Sequence, residues 1–194
     1  MKTECSRKPV GFKPLGKREV VARFDGGDVT SDGGGLLLRE LEARLGIIRS
    51  FAACFTDHRD VKRIEHTVEE LIAQRVYGLA LGYEDLNDHD DLRHDPMMAV
   101  LVGKEEPKGT DRKRSRDQGK ALAGKSTLNR LELTLAQVGD DERYKRIALD
   151  DAKASNFFVD AFLDSYDTPP EEIILDLDAT DDPLHGHQEG RFFH

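Results

Sequence analysis

The stretch from Thr67 to Tyr83 constrains the fold most. Val68, Leu71, Ile72, Val76, Leu79 and Tyr83 recur at helical spacing and make one apolar stripe. Thr67 stands where a helix cap belongs, and Glu69 and Glu70 complement the helix dipole in the first turn. Gly82 fits the stop. The spacing predicts a helix over 67–82, and its apolar face needs other elements to cover it.

The flanking sequence supplies such elements. Glu19–Phe24 has the β-branched pair of a strand and runs into the turn residues 25–28. Leu37, Leu38, Leu41 and Leu45 predict a helix over 34–45, with Thr30, Ser31 or Asp32 as its cap and Gly46 as its stop. A second helix follows over 47–55, and further helices over 84–93 and 95–102, the last opened by Asp95-Pro96. Residues 103–124 hold Gly103, Gly109, Gly119, Gly124 and Pro107 and read as an exposed, mobile loop. Ser126 or Thr127 then caps a helix carrying Leu128, Leu131, Leu135 and Val138. Residues 141–165 read as one or two helices, ended by Thr168-Pro169-Pro170. Glu171–Asp178 reads as a strand, apolar on both faces until carboxylates emerge at its end. The expected organisation is an N-terminal strand and helices over 1–102, a basic loop over 103–124, helices over 125–168, and the start of a sheet over 169–194. Such a strand needs partners, so the chain is expected to be the N-terminal part of a longer enzyme.

Composition excludes several classes. The chain has 194 residues, 38% of them hydrophobic, with no Trp and no apolar run long enough to span a bilayer. The start is basic but lacks the apolar centre of a secretory signal. Cys5 and Cys54 alone point to a reducing compartment rather than a disulfide framework. The formal net charge of −9 would by itself count against a nucleic-acid partner. That charge is unevenly spread. Residues 1–23 carry seven basic against two acidic residues, and residues 104–125 carry eight against four. Residues 164–194 carry nine acidic residues and a single basic one, Arg191. The two basic stretches can serve as local footprints for phosphates.

Four motifs invite chemistry. Gly119-Lys-Ala-Leu-Ala-Gly124-Lys125-Ser126 matches a phosphate-cradling loop by letter. That mechanism needs a strand before the loop, and the preceding residues 111–117 are polar and basic, so the segment reads as a basic loop entering a capped helix. Asp85–Asp91 resembles a calcium loop, but Asp90 stands where glycine belongs and Pro96 where the closing glutamate belongs. His185 and His187 have no second ligand cluster, and His58, His66 and His94 are scattered. Asp176, Asp178, Asp181 and Asp182 gather at the end of the expected last strand, where hard divalent cations are held by carboxylates.

Five segments occur in one order: Thr30-Ser-Asp-Gly-Gly-Gly-Leu-Leu-Leu-Arg-Glu-Leu41, Gln74-Arg-Val-Tyr-Gly-Leu-Ala-Leu-Gly-Tyr-Glu-Asp-Leu-Asn-Asp88, Leu92-Arg-His-Asp-Pro96, Ser126-Thr-Leu-Asn-Arg-Leu-Glu132 and Leu175-Asp-Leu-Asp-Ala-Thr-Asp-Asp-Pro-Leu-His-Gly-His-Gln-Glu189. Together, from about Val20 to His194, they resemble the amino-terminal part of bacterial insertion-sequence transposases of the DDE type, transposase DDE domain group 1. The resemblance implies a mainly helical N-terminal region followed by the first strand of an α/β ribonuclease-H-like core, here truncated. It implies Mg²⁺ as cofactor, with cleavage at the element's ends and joining to target DNA. By strand position it implies Asp178 as the first catalytic and metal-binding carboxylate, with Asp176 as the runner-up metal ligand. The later acids of the triad would lie beyond His194, so the chain is expected to be inactive alone.

The resemblance makes double-stranded DNA the partner, at element ends and target, for a cytoplasmic protein with no membrane association. It leaves a homodimer open for the intact enzyme. The cations expected on phosphates are Arg112, Lys113, Arg114, Arg116, Lys120, Lys125 and Arg130, together with those of residues 1–23. Two rival readings stay open: a non-catalytic DNA-binding or regulatory fragment, and an NTPase resting on residues 119–126.

Overall fold

The computed structural model describes residues 8–23, 29–139 and 141–175. The chain enters as a hairpin of β1 (Val10–Leu15) and β2 (Arg18–Ala22), antiparallel, with Val10 opposite Ala22 and Phe12 opposite Val20. Gly16 makes the turn at φ 57°, and a Cβ there would lie 2.8 Å from a Glu105 carboxylate oxygen. Only the second strand carries a sequence signal; Gly11 and Pro14 hide the first.

Helix α1 (Gly35–Leu45) starts at Gly34 without a side-chain cap, so none of Thr30, Ser31 and Asp32 caps it as expected. Asp32 supplies its carbonyl to the Gly35 N–H at 2.8 Å, and its carboxylate accepts from the Tyr83 hydroxyl at 2.8 Å. A Cβ on Gly35 would meet the Leu101 side chain at 2.7 Å, so this glycine serves close packing. Gly46, at φ 66°, ends α1 and opens α2 (Ile47–Ala52). The Glu42 carboxylate spans that junction, accepting from the N–H groups of Ile48 (2.9 Å) and Arg49 (3.3 Å). Helix α2 stops short of residue 55 because Phe55 belongs to β3 (Phe55–Asp57), paired antiparallel with the distant β4 (Ile147–Leu149).

Helix α3 (Val68–Ala80) is the centre of the molecule, packed against α2, α5 (Pro96–Val102) and α6 (Lys125–Glu132). Its expected cap, Thr67, is present, and Glu70 returns a second bond. The Thr67 hydroxyl accepts from the Glu70 N–H at 3.1 Å, and the Glu70 carboxylate accepts from the Thr67 N–H at 2.9 Å. A turn of 3-10 helix at Leu86–Asp88 leads into the short α4 (His89–Leu92). Asp95 caps α5 through the N–H of Met97 at 2.7 Å, with Pro96 at the first helical position as the sequence predicts. The core gathers Leu71, Ile72, Met98, Leu101, Leu122 and Leu128, each no more than 4% exposed.

Three further sequence expectations change. The cap of α6 is Gly124 rather than Ser126 or Thr127, and the helix ends at Glu132, before Leu135 and Val138. Residues 141–165 contain β4 and one helix, α7 (Asp151–Leu163), so Ile147 is a strand residue. Residues 171–175 form no strand, and Ile173, Ile174 and Leu175 are exposed. A strand exists through a hydrogen-bonded neighbour, and these residues have none among the described residues. The remainder of that expected strand, 176–178, lies outside the described residues.

Candidate nucleic-acid interface

The basic loop is fastened down by its own cations. Arg112 inserts its guanidinium between Glu65 and His66: Nη2 pairs with Glu65, and Nη1 donates to His66 Nε2 at 2.7 Å. Only 13% of the Arg112 side chain is exposed, and its Nε has no partner. A buried guanidinium of this kind is kept by its carboxylate and is turned away from a phosphate in solvent. His66 is neutral and accepts: burial, then the cations Lys104, Arg112 and Arg59, push its pKa down to about 3. Arg59 grips Asp57 at 2.6 Å and donates to the His66 carbonyl at 3.0 Å, while Lys104 Nζ lies 2.7 Å from Glu70. Residues 57–70 and 104–112 are thus stitched together by charge.

The other predicted DNA contacts divide. Lys113, Arg114 and Arg116 are exposed; Arg114 is 4.0 Å from Glu65 and Arg116 3.7 Å from Asp117, weak surface pairings. Lys113 has no ion pair among the described residues. Lys120 Nζ donates to the Arg116 carbonyl at 2.7 Å. Lys125 Nζ donates to Asn87 Oδ1 at 2.9 Å and lies 3.6 Å from Asp90. Arg130 is exposed on α6.

The Gly119–Ser126 segment lacks the geometry of a phosphate cradle. A 3-10 turn at Ser115–Asp117, rather than a strand, precedes it. Several of its backbone donors already have acceptors: Lys120 N–H on the Asp117 carbonyl (3.1 Å), Leu122 N–H on the Arg93 carbonyl (3.3 Å), Ala123 N–H on Gln74 Oε1 (3.0 Å) and Lys125 N–H on Asp90 (3.2 Å). Gln74 completes its hold on Ala123 by donating Nε2 to the Ala123 carbonyl at 2.8 Å. Ala121, Leu122 and Ala123 are buried, so the end of the expected loop is a strap across the core. Gln74 Nε2 also faces His89 Nδ1 at 3.1 Å, and the fully buried His89 is held below its ordinary pKa, chiefly by burial and then by Arg75.

The Asp85–Asp91 segment is likewise committed to the fold. Asp85 accepts from the Asn87 N–H at 2.8 Å and from Asn87 Nδ2 at 2.9 Å. Asp90 faces Arg93 and Lys125. Among the described residues, no group of three or more His, Cys, Asp or Glu could hold a metal ion. Asp176, Asp178, Asp181, Asp182, His185 and His187 lie outside the described residues.

Sequence reasoning missed a second basic site. Tyr144, 59% exposed, has Arg130 Cζ at 5.6 Å and Arg143 Cζ at 5.4 Å from its ring centroid. The signal was available in Arg143-Tyr-Lys-Arg146, a basic run with an aromatic inside it. Expecting helix there concealed it.

Among the described residues, no helix is long and apolar enough to cross a membrane. No curated protein and no solved structure matches the chain. A family model, transposase DDE domain group 1, matches residues 12–194. That match takes in the basic loop, the Arg143–Arg146 run, the helical core and the Asp176–Asp178 segment, and by it the chain belongs to the transposase DDE domain group 1 family.

Proposed function

We propose that this chain supplies the DNA-engaging region and the first catalytic carboxylate of a DDE transposase acting at insertion-sequence ends. The family match over residues 12–194 carries the reading. In it, Asp178 is the first acid of a ribonuclease-H-like core and a ligand of Mg²⁺, with Asp176 as the alternative ligand. Mg²⁺, when bound, would stabilise charge on the phosphate under attack. The exposed Lys113, Arg114 and Arg116 contact duplex phosphates, which positions the protein without reading sequence. Arg112 has another task, holding the loop to Glu65 and His66.

Two measurements test this. Replacing Lys113, Arg114 and Arg116 together by Ala should weaken duplex binding and flatten its salt dependence by about 0.9 log unit per lost phosphate contact. Unchanged affinity refutes the role of the loop. In a member of the family active in strand cleavage, Asp→Asn at the position of Asp178 should abolish cleavage and spare DNA binding; retained cleavage refutes the assignment.

A further inference from the structure

The cations of the described chain differ in how they are held. Arg39, Arg59, Arg75, Lys104 and Arg112 each face a carboxylate within 4 Å and are largely shielded from solvent. Others form no ion pair among the described residues, and two of these, Arg130 and Arg143, meet at one tyrosine ring, with Lys145 next to it in the chain. Arg130 projects from α6, and Arg143 and Lys145 lie in the turn before β4. The same turn presents the exposed Tyr144, with a guanidinium carbon of each arginine within 5.6 Å of its ring centroid.

The turn is built to hold that ring out. The Glu142 carboxylate accepts from the N–H groups of Tyr144 (2.8 Å) and Lys145 (2.9 Å), which ties this acid to the backbone of the turn. The backbone bonds from Lys145 and Tyr144 also hold its carboxyl below the ordinary range. Arg146 ties the turn to the core by donating Nε to the His58 carbonyl (2.8 Å) and Nη1 to the Glu142 carbonyl (2.9 Å).

We propose that Arg130, Arg143, Tyr144 and Lys145 form a binding site for unpaired DNA. The proposal rests on the transposition reading and deepens it. An aromatic ring gains little from a duplex, whose bases are already stacked. An unstacked base offers a π-face to a tyrosine ring or a guanidinium plane, and the flanking phosphates answer the unpaired cations. Duplex phosphates need charge alone, which Lys113, Arg114 and Arg116 supply.

The test is fluorescence anisotropy of the full chain against a short oligothymidylate and a mixed-sequence duplex of equal length. Tyr144→Ala should weaken oligothymidylate binding about tenfold or more and leave the duplex within about twofold, with Tyr144→Phe close to wild type. Arg130→Ala with Arg143→Ala should weaken single-strand binding and reduce its salt slope by about 1.4. Circular dichroism of each variant separates loss of binding from loss of fold. An unchanged single-strand affinity in Tyr144→Ala, or an equal loss on the duplex, overturns the proposal. Wild-type binding to the duplex but not to the single strand overturns it while the DNA-engaging reading stands. Binding to neither overturns both.

Discussion

Helices α3 and α7 are both 13 residues long and both start at a side-chain cap, Thr67 in one and Asp150 in the other. Their fates differ. Helix α3 buries Leu71, Ile72, Ala73, Gln74, Tyr77 and Gly78. Helix α7 buries only Ala154, and its Phe158 and Val159 are 63% and 57% exposed. Both are rich in apolar residues, so apolar content does not account for the contrast. Helix α3 is covered by α2, α5 and α6, whereas α7 packs chiefly on α2, through Phe51 against Phe157 and Phe158. Burial is a property of the surroundings.

The sharpest way to break this contrast is a pair of truncations. Leu71→Ala should destabilise the fold by about 2–5 kcal/mol, because Leu71 is 0% exposed and its removal leaves a cavity. Phe158→Ala should cost about 1 kcal/mol or less, since most of its surface is already in water. Denaturant melts of both check this; an equal loss would mean that α7 is held by contacts the exposed ring does not reveal.

Acid should act on the α3 side of the molecule. His66 sits just before its cap, and His89 packs on Gly78, where a Cβ would lie 2.9 Å from the ring. Both rings are held neutral, with folded pKa values below the unfolded value of about 6.5. Stability is therefore intact above pH ~6.5 and declines on acidification, as the unfolded chain takes up protons that the folded chain resists. For His66 the decline runs down to its folded pKa of about 3. The slope is at most about 1.4 kcal/mol per pH unit for each ring. His66→Gln should flatten the fall in Tm between pH 7 and pH 5; an unaltered slope would take His66 out of the account.

The smallest effects belong to the caps. Thr67→Ala and Asp150→Ala should each cost about 1 kcal/mol by thermal melting. Thr67 should cost the more of the two, because its loss also strands Glu70 of the reciprocal pair. The reverse order would make α7 the better-anchored helix.

Much of the helical framework was legible in the sequence, because its signals are local. The stripe of α3, the Thr67–Glu70 cap, Gly46 and Asp95-Pro96 all act within a turn or two of chain. Strands β1, β3 and β4 were not legible. The latter two are three residues each, and Phe55 meets Leu149 only because the tertiary fold brings them together. The candidate interface was half legible for a related reason. Counting basic residues locates charge but not its partners, so Arg112 counts like Lys113 although one is clasped by Glu65 and the other is free of any ion pair among the described residues. Likewise Gly119–Ser126 has the letters of a phosphate loop, and only the bonds of Ala123 to Gln74 reveal a core strap.

By itself, then, the sequence determined the central helix with its cap, where charge accumulates, and the ordered motifs by which the family is recognised. Those are properties of neighbours along the chain. The tertiary structure alone decided which cations are spent on carboxylates, which apolar face is covered, and that Arg130 comes to the ring of Tyr144. Such outcomes depend on groups far apart in sequence, and ion pairing, burial and stacking are set by distance in space.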